Sequence, residues 1–394
     1  MSDAPRPSVL MVTGAYFPET SGAGLQCRAL VAACGDRVRF TVLTTAVDRS
    51  LPGDDEVDGV PVRRILVSAR SRLLRLLATP RLALAAWRLE RRAEIVHLHG
   101  FSAKSRVVIA LARLLGRRII VKETSLGHDD AMSMREKGGG VFRSFARADR
   151  FVGVSPAFAA RHADAGLPRE KFRLIPNGVD LARFRPPADG EQAEIRRGLG
   201  LPSDRPIVLF VGFFSHEKRP DLAFDAWTGT FAGAPESALV FVGRTRSDYY
   251  EVDASLADRI RRDAARLQCA DRVLMIEQAA AIEQWYRAAD VFVLPSTREG
   301  LPNVVLEAMA SGLPCIVSRL PGVTDSIITD GEDGVLIDPD DRVAFGDALR
   351  TLLNDAARRS RLGARARQTV AARFSLDRTA ADHVALYREL AGDA

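Results

Sequence analysis

Cysteine is scarce in this chain. The four residues among 394, Cys27, Cys34, Cys269 and Cys315, show no CxxC or other metal-ligand spacing, so neither a zinc module nor a disulfide framework is indicated. A reduced, cytosolic chain is the simplest account. No apolar run approaches the ~20 residues of a membrane-spanning helix; the longest lie near strand length. The opening residues, MSDAPRPSVLMVTG, carry an acid at Asp3 and no long apolar core before a small-residue cleavage site, so no secretory leader is expected. Internal repeats and low-complexity tails do not appear either.

Hydrophobic residues make up 47% of the 394, enough for two domains, each with a full core. Charge is unevenly spread. Residues 1–190 hold 31 Lys+Arg against 19 Asp+Glu, whereas the remainder holds 25 against 31. Such asymmetry suggests a polyanionic partner for the first half: membrane phospholipid, a lipid-linked phosphate or nucleic acid. An arginine-rich composition without a partner is the competing account.

The stretch 289–339 organises the rest. Val291-Phe292-Val293-Leu294 has the length and β-branched content of a buried parallel strand. A polar turn follows, then Pro302 where a first helical turn tolerates proline, then Val304, Val305, Ala308 and Met309 at helical spacing, with Gly312 as the stop. Free amides around Gly300, Leu301, Pro302 and Asn303, helped by the helix dipole, would attract phosphate. Beside them, Glu299 could accept hydrogen bonds from a neutral polyol and Glu307 could grip a vicinal diol such as a ribose. In isolation the two acids also fit a dipole-stabilising first-turn residue and a solvated helix residue.

EGLPNVVLEAMASGLPCIVS, followed by GVTDSIITDGEDGVLIDPDD, closely resembles the donor-binding segment of glycosyltransferase family 4. LIPNGVD at 174–180 and VGVSPAF at 152–158 resemble that family's interdomain strands and turns. FVGFFSHEKRPD at 210–221 occupies the position of its basic phosphate-binding loop. The resemblance runs through nearly the whole chain in order. It implies a retaining enzyme of α/β class with the GT-B fold: two Rossmann-like, doubly wound domains facing an interdomain crevice. The domains are expected at 1–187, binding acceptor, and 188–374, binding nucleotide sugar, with a helix at 375–394 packing back towards the first. Pro186-Pro187 would mark the linker.

The resemblance assigns roles residue by residue. Gly212 and Lys218 would approach the donor diphosphate, with Lys218 and Glu299 carrying the chemistry. An arginine usual in that loop is replaced by Phe213 or Phe214, so Arg219 or Arg244 is the candidate substitute. Glu277 and Gln278 would lie beside the base, and Glu307 would hold the ribose. Gly22 and Gly24, in a turn at 18–24 ahead of a helix at 25–33, match the family's glycine loop, although Ala23 separates them. Such a turn could let backbone approach a diphosphate, or be only a turn.

In the first domain, strand alternation puts His97 and His99 on one face, with His99 nearest the crevice. Where many family members carry a histidine after the next strand, this chain has Glu123 and Thr124, with His128 later. Lys122, Glu123, His128 and Asp129 are therefore candidates for acceptor or sugar contact. No Asp-x-Asp cluster stands out as a sugar-nucleotide metal site, so no metal or other cofactor is implied.

Other local expectations are an acidic loop over 51–60, a mobile loop at Lys137-Gly138-Gly139-Gly140, and a helix start at Asp325. The segment 68–92, arginine-rich with Trp87 and interrupted by Pro80, fits two helices packing their leucines on the sheet, with peripheral membrane contact as an added role. The function implied is transfer of a sugar from a nucleoside-diphosphate-sugar to a lipid-linked or saccharide acceptor. Such an enzyme would work in the cytoplasm, at the inner membrane face. The rivals are a nucleotide-sugar 2-epimerase on the same fold and a non-catalytic sugar-nucleotide binder. Nucleic-acid binding is not expected, since the basic segment lacks recognised motif order.

Overall fold

The computed structural model describes residues 6–19, 22–67, 72–102, 104–246 and 251–392. It divides into two compact units, 1–178 with 376–394, and 179–375. The break thus falls ahead of the Pro186-Pro187 linker. Residues 179–187 pack with the second unit because the Phe184 ring sits 5.8 Å from that of Tyr286 and Arg185 binds Glu191 at 2.8 Å.

The sheet of the first unit contains β1 (Ser8–Thr13), β2 (Arg39–Ala46), β3 (Asp54–Val57), β4 (Val60–Leu66), β5 (Ile95–His99), β6 (Arg118–Glu123), β7 (Arg150–Gly153) and β8 (Phe172–Leu174), in the order β3-β4-β2-β1-β5-β6-β7-β8. All pairs are parallel except β3 with β4. Order reverses between β1 and β5, where open α/β sheets hold their ligands. Thr13 lies opposite His99 there, and His99 opposite Lys122.

The helices of this unit are α1 (Gly22–Cys34), α2 (Arg72–Glu90), α3 (Ser105–Leu114), α4 (Ala131–Glu136), α5 (Gly139–Phe145), α6 (Pro156–Asp164) and the C-terminal helix Leu376–Ala391. Alternation along β1 sends Leu10 into a core with Leu82, Val108, Met134 and Phe145 of α2 to α5. It sends Val9 and Met11 to the opposite face, against Leu30 of α1 and Val384 and Tyr387 of the C-terminal helix. Each fully buried side chain of this size contributes roughly 1.5–3 kcal/mol relative to exposure.

Several local expectations are corrected. The acidic 51–60 stretch contains β3, held on β4 by Asp54–Arg63 and Asp55–Arg64 ion pairs. Pro80 lies inside α2, which runs through it as one helix. Gly22 and Gly24 belong to α1 and not to a turn before it. The Lys137–Gly140 run is a tight corner: Lys137 ends α4, Gly138 turns at φ 104°, and Gly139 begins α5, drawn in by the buried Phe145. In the second unit, Asp325 starts no helix. Thr324 organises its turn, donating to the Ser318 carbonyl at 2.6 Å and accepting from the Leu320 amide at 2.7 Å.

The second unit has β9 (Ile207–Val211), β10 (Ala238–Val242), β11 (Val273–Ile276), β12 (Val291–Leu294), β13 (Cys315–Ser318) and β14 (Val335–Ile337), all parallel, in the order β11-β10-β9-β12-β13-β14. This is the doubly wound order, with its switch point between β9 and β12. Residues of β9, β10, β12 and β13 are buried throughout, as strands with helices on both faces must be. Those helices are α7 (Glu191–Gly198), α8 (Pro220–Thr228), α9 (Ala254–Arg266), α10 (Ile282–Ala288), α11 (Asn303–Ala310), α12 (Arg342–Asn354) and α13 (Ala356–Arg373).

Candidate functional site

Two loops leave the switch point of the second sheet side by side, 212–219 after β9 and 295–302 after β12. They are stitched together. The Thr297 amide donates to the Glu217 carbonyl at 2.8 Å, Arg298 pairs with Glu217, and Lys218 Nζ lies 2.6 and 2.7 Å from the two carboxylate oxygens of Glu299. Glu299 is buried and Lys218 half-buried. Taking two charges this far out of water is tolerable only because each satisfies the other. Behind them Gly243 approaches Gly212 so closely that a Cβ would stand 2.1 Å from the Gly212 carbonyl oxygen. Gly243 was not among the sequence candidates.

Adjacent cations point to different places. Arg219 adopts a left-handed backbone (φ 51°) before α8 and gives its guanidinium to the Pro339 carbonyl at 2.7 Å. Arg244, at the end of β10, is exposed, and its side chain meets no protein acceptor among the described residues. Of the two aromatic candidates for the missing arginine position, Phe214 is fully buried against Phe241 at 5.3 Å, while Phe213 stays half-buried in the loop. Glu277 and Gln278 are exposed. Partial burial would push the Glu277 carboxyl up, but the Thr245 amide (2.9 Å) and hydroxyl hold it below the usual range.

The helix α11 begins where the turn ends. Gly300, Leu301 and Pro302 are buried and Asn303 half-buried. Among the described residues, neither the Gly300 nor the Leu301 amide reaches a protein acceptor, leaving two backbone donors just ahead of the helix start. Glu307, on the second turn, accepts a 2.8 Å hydrogen bond from Tyr286, a residue the sequence reading missed. Burial pushes the Glu307 carboxyl up to about 7, with the Tyr286 hydroxyl and Arg183 pulling it down.

The first-unit candidates divide by strand alternation. His97, His99 and Lys122 share the face covered by α1 and the C-terminal helix. Glu123 faces the other way. His99 is 5% exposed and Lys122 2%. Both ring nitrogens of His99 lack a protein partner among the described residues. His97 Nδ1 meets Tyr387 Oη at 2.8 Å, and the His97 ring stacks 5.7 Å from His383. Tyr387 and His383 were legible only as a four-residue spacing on the last helix. Burial lowers Lys122 to about 8. It raises Glu123 well above the carboxylate range, reinforced by Asp129.

Asp129 itself fastens the 124–129 loop, accepting from the Thr124 hydroxyl at 2.7 Å and the Ser125 amide at 2.7 Å. His128 is half-exposed, and its carbonyl takes Lys137 Nζ at 2.5 Å. Lys122 and His99 thus form one cluster, and Glu123 and Asp129 another.

The histidine cluster makes a testable demand on pH. Desolvation lowers His383 to about 3, so between pH 6.5 and 3 the unfolded chain binds a proton that the folded chain refuses. Stability is therefore lost as pH falls below about 6.5, at about 1.4 kcal/mol per pH unit for this group. His383→Gln should flatten the dependence of the urea midpoint on pH by that slope between pH 6 and 5. An unchanged slope would mean that the imidazole is already solvated.

Two doubly wound parallel-sheet domains, the second with a lysine, acidic groups and free amides at its switch point, define a GT-B glycosyltransferase. Residues 191–369 match the family described as "Glycosyl transferases group 1", and residues 20–183 match "Glycosyltransferase Family 4". The chain is 31% identical over 310 residues to the D-inositol 3-phosphate glycosyltransferase of Acidothermus cellulolyticus, covering 75% of this chain and 67% of that one. It is 30% identical over 219 residues to the lipopolysaccharide core biosynthesis mannosyltransferase LpsB of Rhizobium meliloti, covering 55% and 60%. Among solved structures, sucrose-phosphate synthase from Thermosynechococcus elongatus superposes with a TM-score of 0.79 at 24% identity, over 99% of this chain and 100% of that one. The chain belongs to glycosyltransferase family 4.

Proposed function

We propose that the second unit binds a nucleoside-diphosphate-sugar and that the glycosyl group passes, with retention of configuration, to a lipid-linked or saccharide acceptor on the first unit. The observation that carries this reading is the convergence of Lys218, Glu299, the Gly300 and Leu301 amides and Glu307 around one switch point. Lys218 and the amides would neutralise the departing diphosphate, with Arg244 as the cation replacing the family's usual arginine. Glu299 would accept sugar hydroxyls and Glu307 the ribose diol. The bond from the anomeric carbon to phosphate breaks as the bond to the acceptor oxygen forms on the same face, and the acceptor proton passes to the leaving phosphate. No protein nucleophile is used. No metal is needed in this reading, in keeping with a donor set of cations and amides.

A peripheral position at the inner membrane face is part of the reading. Supporting it, α2 exposes Leu84 and Trp87 beside Arg88 and Arg91, the latter 4.9 Å over the Trp87 ring. Arg106, Arg143 and Arg147 line a groove between α3 and α5. Residues 68–71 of the basic segment lie outside the described ones. Among the described residues, no helix is long and apolar enough to cross a membrane.

The test is nucleoside diphosphate release from UDP-, GDP- and ADP-sugars, with and without bacterial membrane lipid extract. Release should require one donor and the extract. It should fall about 10- to 100-fold in Glu307→Ala and about 10-fold in Arg244→Ala, as expected for losing one charge-assisted hydrogen bond. No release from any donor would overturn the reading. Conversion of the sugar without extract would replace it by epimerisation.

A further inference from the structure

Glu307 and Tyr286 form a unit that the donor site, read as above, does not yet use. We propose that Tyr286 is the positioning residue of the nucleotide site: its hydroxyl holds one oxygen of Glu307 and leaves the other to a vicinal diol. The inference rests on the reading of Glu307 as the ribose ligand.

The geometry leaves Tyr286 little alternative. Its hydroxyl lies 2.8 Å from Glu307 Oε2, and no other acceptor meets it among the described residues. The side chain is fully buried on α10, wedged between Phe184, 5.8 Å away and edge-on, and Phe292, 6.0 Å away. The phenol is held where it is, and against the ionised carboxylate it donates, so Oε2 is taken in the charged form. Oε1 accepts nothing from the protein among the described residues, and the carboxylate is pinned in rotation. A diol then meets a preoriented acceptor and not a freely turning one, which is how preorganisation gains affinity.

The surroundings make the hydroxyl the decisive partner. Burial works against the charged form of Glu307, and Tyr286 is the largest influence opposing it, ahead of Arg183. Arg183 is itself bound to Glu283 at 3.0 Å, and Glu283 acts in the contrary direction. Arg367, from α13, spends its guanidinium on the carbonyls of Ala310 and Phe184. Cys315, on β13, stays a neutral thiol because burial pushes it up. Without the Tyr286 hydroxyl the carboxyl holds its proton to higher pH, and a protonated carboxyl offers a diol one acceptor fewer.

Binding of UDP, GDP and ADP in turn, by calorimetry from pH 6 to 9, tests this with Tyr286→Phe and Glu307→Gln beside wild type. For the nucleotide that binds, wild-type affinity should rise from pH 6 to 8. Tyr286→Phe should bind about 5- to 10-fold more weakly at pH 7, as an upward move of the carboxyl midpoint by about one pH unit would give, and within about twofold of wild type at pH 9. In turnover, KM should rise with kcat held within twofold. A carbon-13 carboxyl titration, with the Glu307 signal identified by its loss in Glu307→Gln, should show the midpoint moving up in Tyr286→Phe.

A deficit of the same factor at every pH, or an unmoved carboxyl midpoint, would overturn the inference and leave Tyr286 a packing residue. Glu307→Gln binding as tightly as wild type would instead sink the ribose assignment beneath it.

Discussion

Lys218→Met is expected to cost the second unit about 2–4 kcal/mol, because the Glu299 carboxylate, 7% exposed, would lose the cation at 2.6 Å that offsets its burial. Adding Glu299→Gln removes the stranded charge, so the double variant should return to within about 1 kcal/mol of wild type by urea unfolding. Activity should not return. With the lysine gone, the departing diphosphate lacks its cation, and release of nucleoside diphosphate should stay about 100- to 1,000-fold down in both. Glu299→Gln alone separates two roles of that acid. Lys218 would be freed from its partner, so nucleoside diphosphate should bind more tightly while turnover falls. A double variant that turns over at the wild-type rate would show the pair to be only a clamp between two loops.

Gly243→Ala is expected to be as damaging without touching any charge. An added Cβ would lie 2.1 Å from the Gly212 oxygen and 2.5 Å from its carbonyl carbon, at a backbone φ of 150°. Neither obstacle is a flexible side-chain end, so β9 and β10 must separate where the Lys218 loop begins. Overpacking and strain together come to about 3–5 kcal/mol, enough to lower the thermal midpoint sharply and to remove donor binding with it. Gly198→Ala is the matched control. It closes α7 with nothing within 4 Å of its Cβ, so a neutral effect or a gain below about 1 kcal/mol is expected. Equal behaviour of the two variants would show that the sheet edge yields.

Much of the second sheet was legible because β9, β10 and β12 are short apolar runs rich in branched residues, as strands buried on both faces must be. Lys218, Glu299 and Glu307 were singled out by the resemblance. Their partnerships were not. Lys218 and Glu299 are 81 positions apart and Tyr286 and Glu307 are 21 apart, and such distances are closed only by the order of strands.

The strand β3 was missed because Asp54, Asp55 and Glu56 are poor strand formers. The ladder is made by opposite charges on Arg63 and Arg64 facing them, a cross-strand effect that no single segment displays. Lys122 and Glu123 were grouped as one site although neighbours on a strand point to opposite faces. The rule that put His97 and His99 on one face would have separated them.

One consequence of the C-terminal helix concerns the order in which the protein is made. The second unit is a single continuous stretch, 179–375, whereas the first is completed only by residues 376–394. Synthesis therefore delivers the first sheet early but withholds Val384 and Tyr387, which cover Met11, and His383, which stacks on His97. The part of that face that α1 leaves open must wait while the whole second unit emerges and closes its own core. The apolar surface beneath that helix is thus open to wrong partners during translation until residues 376–391 arrive to cover it.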